Sequence, residues 1–324
     1  MINKAIKNLL ISTTLVSLIL LIYFMLIISS LRVEQNAVFI IEKNSSTRLI
    51  SQKLAEQKII HNQVAFFIFA KFYSKLYDKP IISGEYNLKS GLDLIDLMKV
   101  LTGGKVLQHT LTIPEGFTVK QVLARIATMK NIEHLPIAIN NIDEGTIMPD
   151  TYFYTYRTFD IELIKRMQKA MVDFIAVEWP KRDVKIDQFI SSPNEALTLA
   201  SIVEKETDID SERPMIAGVY LNRLKKNMKL QACPTVIYGL NLSDNPDWDR
   251  KVLYSHLKSE SEYNTYMNLG LPPKPICNPG RKAILAVLHP KWSEKLFFVF
   301  KPTGKHVFAE NFEEHKANIK KIRQ

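Results

Sequence analysis

The stretch LTLASIVEKET, residues 197–207, sets Glu204 and Glu206 on either side of Lys205. A carboxyl group held against apolar surroundings resists ionisation. Such a group keeps its proton near neutral pH and can deliver it as a general acid. The same spacing also describes two boundary charges, one of them bonded to a nearby Lys or Arg. Periodicity gives both glutamates equal claims.

The element carrying them has a strong start. Ser192 can cap the exposed N–H groups, Pro193 suits the first helical position, and Glu195 completes a capping box. Ala196, Leu197, Leu199, Ala200, Ile202 and Val203 then define a broad apolar face, with Glu204 and Glu206 on its opposite flanks. Helices are predicted over 193–206 and 160–178. Around them run stretches rich in Pro, Asn and Tyr, including CPTVIYG and YNTYMNLGLPPKPICNPG, which read as binding loops. KLFFVF followed by KPTGKHVF predicts a β-hairpin, and EEHKANIKKIRQ a basic terminal helix.

Upstream, three stretches (38–60, 83–106 and 109–132) share one rhythm: a β-rich run, a turn with Ser or Gly, then a helix pattern. Between the first two lies QVAFFIFAKFYSKLY, residues 63–77, a very apolar helix candidate. Units this small must pack on one another. Earlier still, no charged residue occurs from Asn8 to Leu31. About 20 apolar residues span a bilayer, so the run predicts an uncleaved transmembrane anchor. Lys4 and Lys7 before it, against Arg32 after it, orient the N-terminus to the cytoplasm.

The 324 residues are 46% hydrophobic and carry a net charge of +10. This balance suits acidic partners, but the basic residues are scattered and no nucleic-acid-binding signature appears. There is no phosphate loop, His-Glu-x-x-His, Cys-x-x-Cys or G-x-S-x-G, and the seven histidines are dispersed. No metal or cofactor is expected.

LASIVEKET followed by IAGVYLNRLKKNMKLQACPTVIYG resembles the YceG-like family, the endolytic murein transglycosylases. EGTIMPDTY, YNTYMNLGLPPKPICNPG and HVFAENFEEH extend the resemblance, as do SGEY and IPEGFT. It implies an α+β protein: a cytoplasmic N-terminus (1–7), an anchor (8–31), a LysM-like module (32–107) and a mixed α/β catalytic domain (108–324) with a helix-borne glutamate. It further implies internal cleavage of peptidoglycan glycan strands outside the inner membrane, in the neighbourhood of wall-synthesis proteins. The resemblance ranks Glu204 as the catalytic acid and Glu206 as supportive. One decisive carboxyl suffices because the muramic C6 hydroxyl, rather than water, attacks C1 and leaves a 1,6-anhydro end. Gln231, Thr235, Tyr238, Tyr263, Asn264 and Tyr266 become candidate substrate-binding residues, while Asn222 and Arg223 are expected to brace the helices. A non-catalytic wall-binding protein and a muramidase using water are the alternatives.

The family commonly has Asp before the Pro-Thr of this motif; this chain has Cys233. Cys277 lies in the other loop motif. Both motifs are expected around the same cleft, in an oxidising compartment, so the two readings are a disulfide between Cys233 and Cys277, worth about 4 kcal/mol in the chain-entropy model, and two separate free thiols.

Overall fold

The computed structural model describes residues 2–135, 142–242 and 252–323. The chain divides into two compact units, Met1–His109 with Phe153–Arg157, and Thr110–Tyr152 with Thr158–Gln324. The sequence had assigned Phe153–Arg157 to the second domain.

The first unit begins with α1 (Ile2–Ser30). Its apolar span, Leu9–Ile27, has 19 residues. At ~1.5 Å per residue that is about 28 Å, close to the ~30 Å of a bilayer core. The helix fits a membrane anchor or a signal sequence. No linker follows it: Ile27 packs on the core of the unit, and Leu31 and Val33 lie inside that core. The Val33 N–H donates to Leu92 O at 2.9 Å, and the Gly91 N–H to Val33 O at 2.8 Å.

Strand β1 (Ala37–Ile41) pairs antiparallel with β2 (Gly84–Leu88), placing Phe39 opposite Tyr86. Helices α2 (Thr47–Glu56) and α3 (Gln63–Tyr77) lie between these strands in sequence, and α4 (Leu94–Thr102) follows them. Ser46, Asn62 and Asp93 cap the three helices, each accepting from a first-turn amide that has no partner within the helix. Phe39, Leu54, Phe66, Tyr86 and Met98 are fully buried together. The strand and helix runs predicted here correspond to these elements.

Strand β3 (Gln108–Thr112) pairs with β5 (Thr151–Thr155). In the second unit, α5 (Val119–Ala127) starts with a full capping box from Thr118 and Gln121. Short strands β4 (Ile132–Glu133) and β6 (Thr158–Phe159) run parallel. The helical part comprises α6 (Asp160–Glu178), α7 (Pro193–Glu206), α8 (Arg213–Lys225), α9 (Cys233–Leu242) and α10 (Arg281–Leu288). Strands β7 (Phe297–Phe300) and β8 (His306–Ala309) form the expected antiparallel hairpin, and α11 (Phe312–Arg323) follows.

Helix α7 packs against both α8 and α10. Every residue from Ala196 to Glu204 is buried, so the single apolar face predicted for it is an understatement. Its inward polar side chains are satisfied close to home: Thr198 donates to Asn194 O (2.9 Å) and Ser201 to Thr198 O (2.7 Å). Ser192 caps the helix as expected, but the Glu195 carboxylate turns to the backbone N–H and hydroxyl of Ser191 instead of closing the box. CPTVIYG, read as a loop, is the first part of α9, where Pro234 suits a first helical turn. Gly218 lets α8 pass the Lys291 carbonyl, which a Cβ there would meet at 2.4 Å.

Candidate active site

Two residues apart on one helix, the glutamates have different surroundings. The Glu204 Oε1 accepts from the Arg213 Nη1 at 2.8 Å, and its Oε2 from the Gly280 N–H at 2.8 Å. Arg213 is itself buried, and its Nη2 stands 3.9 Å from Glu115. A Cβ on Gly280 would displace the Glu115 side chain, which packs directly over that residue. Both oxygens of Glu204 thus accept from protein donors. This is a bracing role, pinning the first residue of α8 and the turn before α10 to the end of α7. The expectation of a proton donor at Glu204 rests on the resemblance alone, and these bonds do not test it.

Glu206 opens into a cleft of about 240 Å³. Tyr220, Arg223, Gln231, Cys233 and Tyr266 supply polar groups to its wall, and Phe297, Phe298 and Phe312 supply aromatic faces. The Tyr220 hydroxyl donates to Glu206 Oε1 at 2.7 Å. Burial pushes the Glu206 carboxyl above the usual carboxylate range; the Tyr220 hydrogen bond and the charges of His306 and Arg223 oppose this. The Tyr220 phenol is pushed well up, first by burial and then by Glu206, so it remains a donor. Arg223 is fixed by bonds from its Nε to Leu296 O (2.7 Å) and from its Nη1 to Leu230 O (2.6 Å), with its guanidinium over the Phe297 ring. A carboxyl held by one phenol, facing a polar and aromatic cleft and shifted by burial towards its protonated form, has the properties of a general acid.

Of the residues named from sequence, Gln231, Cys233 and Tyr266 meet at this cleft. Gln231 has a backbone φ of 51°, a left-handed conformation costly for a residue with a side chain. Thr235 does not face the cleft; it is fully buried, donating to Ala232 O and bonding the Thr265 hydroxyl. Asn264, also fully buried, spends its amide on Leu257 O and Ser259 O and its oxygen on the Tyr266 N–H. It shapes the YNTY turn. Tyr238 and Tyr263 pack edge to face, 4.8 Å apart, and line no part of the cleft. Asn222 braces the 293–295 segment through Ser293 O and Lys295 O.

The disulfide is not formed: both cysteines are free. The Cys233 thiol lies 3.2 Å from the Tyr266 hydroxyl, whereas Cys277 is buried against Ser201 O. The two bond to different elements. Burial pushes the Cys233 thiol up, although the Tyr266 hydrogen bond opposes the shift. A neutral thiol therefore stands where the resemblance implies a carboxylate.

Sequence reasoning missed Tyr220, the three phenylalanines and His315 as cleft residues. His315 stacks on Phe297 at 5.2 Å. His306 was missed too; its Nδ1 and backbone N–H hold Glu212, at 2.7 and 3.1 Å. The signal available was HVFAENFEEH, which contains both histidines. Among the described residues, no group of three or more His, Cys, Asp or Glu is placed to hold a metal ion.

The profile of the YceG-like family matches residues 39–321. An endolytic murein transglycosylase of Bacillus subtilis is 32% identical over 87% of this chain and 84% of its own length. One from Streptococcus pneumoniae is 28% identical over 86% of this chain and 57% of its own length. The crystal structure of a yceG-like protein from Listeria monocytogenes, 30% identical, superposes with a TM-score of 0.54 over 88% of this chain and 99% of that one.

Proposed function

The chain belongs to the YceG-like family, and from that premise we propose that it is an endolytic lytic transglycosylase of peptidoglycan with Glu206 as its acid. The observation that carries the assignment is the contrast on α7. Both oxygens of Glu204 accept from protein donors, while the Glu206 carboxyl, held by the Tyr220 hydroxyl, faces a cleft and is shifted by burial towards its protonated form.

The Glu206 carboxyl protonates the oxygen between N-acetylmuramic acid and N-acetylglucosamine, and the C1–O bond breaks. An oxocarbenium-like centre develops at C1. The carboxylate then takes the proton of the muramic C6 hydroxyl, whose oxygen closes on C1. Glu206 ends protonated and no water is consumed. The attack is intramolecular, which removes much of its entropic cost. Tyr220 aims the carboxyl, and Gln231, Tyr266 and the phenylalanine rings offer amide, hydroxyl and aromatic contacts to the sugar.

In the same reading α1 is a single-pass anchor in the cytoplasmic membrane with its N-terminus inside. The catalytic unit acts outside, on nascent strands and beside the synthesis proteins. The strand–helix–helix–strand module serves as a LysM-like glycan-binding element.

The test is product analysis on the full chain in detergent, incubated with purified glycan strands and followed by mass spectrometry. Wild type is expected to release 1,6-anhydro ends, Glu206→Gln none, and Glu204→Gln anhydro ends at a rate limited by its reduced stability. The reverse pattern for the two variants would return the acid to Glu204. Reducing ends would identify a muramidase, and absence of cleavage a binding protein.

A further inference from the structure

Helix α3 leaves a large apolar surface uncovered. Val64, Ile68, Phe72 and Leu76 recur every fourth residue and are 65%, 45%, 62% and 60% exposed. At about 100° per residue they form one stripe about 120° wide. The helix is not short of burial elsewhere: Ala65, Phe66, Ala70 and Tyr73 face the core of the unit. The stripe is thus a second apolar face, set beside the first.

We propose that this stripe is a membrane-contact surface, lying in the interfacial layer of an anionic bilayer with lysines against lipid phosphates. The proposal rests on reading α1 as a membrane anchor. Three observations support it. First, α1 packs against α3 within the same unit. Second, the apolar span ends at Ile27 while Leu31 is already core. Four residues of helix cover only ~6 Å, so the module must sit at the headgroups. Third, the charge is right. Lys71 and Lys75 lie along one edge of the stripe, Lys79 follows just past its end, and α3 itself contains no acidic residue. Lys71 also lines a groove of about 780 Å³ with Arg48, Ser46 and Ser74, which continues the cationic edge. An apolar face bordered by lysines is the pattern of helices that lie in the bilayer interface. Lysines near an anionic surface are drawn to its phosphates.

The full chain would be reconstituted into phosphatidylcholine–phosphatidylglycerol vesicles, and flotation with the vesicles measured first. Phe72→Trp then adds one indole to the three native tryptophans, and the wild-type signal is subtracted. The added emission is expected to be blue-shifted and mostly lost when the lipids carry brominated acyl chains. A red, unquenched emission would leave the stripe in water and overturn the proposal while the anchor stands. A blue-shifted emission untouched by bromolipid would place it against protein, such as a second copy of the chain, and would overturn it equally. Failure to float would remove the anchor and the proposal together. Combined Lys71→Glu, Lys75→Glu and Lys79→Glu substitutions should weaken the quenching with flotation unchanged; unaltered quenching would overturn the phosphate contact.

Discussion

Replacing Tyr220 with Phe removes one oxygen from the wall of the cleft and one hydrogen bond from Glu206. That bond, 2.7 Å from the phenol to Oε1, favours the ionised carboxylate and so works against the effect of burial. Hydrogen bonds to charged groups contribute about 1.5–3 kcal/mol. At ~1.36 kcal/mol per unit, this corresponds to roughly one to two pKa units. Glu206 is open to the cleft, where water replaces part of the lost bond, so about one unit is the expected shift. Its direction is upward, because the loss penalises only the charged form. A general acid must be protonated in the free enzyme, so Glu206 sets the basic limb of the kcat/KM profile. The limb should therefore move to higher pH by about one unit, while kcat falls because the carboxyl is less well aimed. The Tyr220 phenol, pushed well above its ordinary value, contributes no titration of its own in this range. The assay is the initial rate of anhydro-ended product across the pH range for wild type and Tyr220→Phe. A limb that stays in place, or moves down, would refute the placement of the titrating proton on Glu206.

The remaining predictions concern the thiols and a carboxyl away from the cleft. With Cys277 fully buried and Cys233 at the cleft wall, native protein should expose one slowly reacting thiol to a disulfide reagent and unfolded protein two. Modification should block cleavage in wild type but not in Cys233→Ser, and a count of zero thiols would restore the disulfide. Burial pushes Glu144 up to about 7, even though both its oxygens accept from the Val119 N–H. Between about pH 4.5 and 7 the native state then binds more protons than the unfolded chain, so stability declines as pH rises. Glu144→Gln should recover on the order of 3 kcal/mol at about pH 8 and almost nothing at about pH 4.5, read from denaturant unfolding. Equal gains at both pH values would contradict the shift.

Local signals carried much of this fold. Ser192, Pro193 and the apolar run after them announced α7, because caps and periodicity act within one helical turn of the residues concerned. The three strand–helix units and the β7–β8 hairpin were legible for the same reason. The fate of the glutamates was not. Arg213 is nine residues from Glu204 and Gly280 is 76 away, so no window along the helix contains what distinguishes 204 from 206. Thr235 and Asn264 show the limit of motif reading. Both lie in stretches that build the cleft, yet their side chains point into the protein and hold the turns that present Gln231 and Tyr266.

The end of α7 has one more consequence. A helix gathers partial negative charge at its C-terminus, and cations there typically contribute 0.3–1 kcal/mol, with more in partly buried geometries. Here the last turn holds two carboxyl groups, and the one lysine among them projects outward to Gly116 O. The macrodipole thus opposes ionisation at Glu206 and adds to the effect of burial. It belongs to the backbone and survives any rearrangement of the cleft that leaves α7 intact. Substrate entering or leaving can change the water around Glu206, but the helix field goes on favouring its protonated form. After each proton transfer the site is therefore biased back towards the acid with which the next cycle begins.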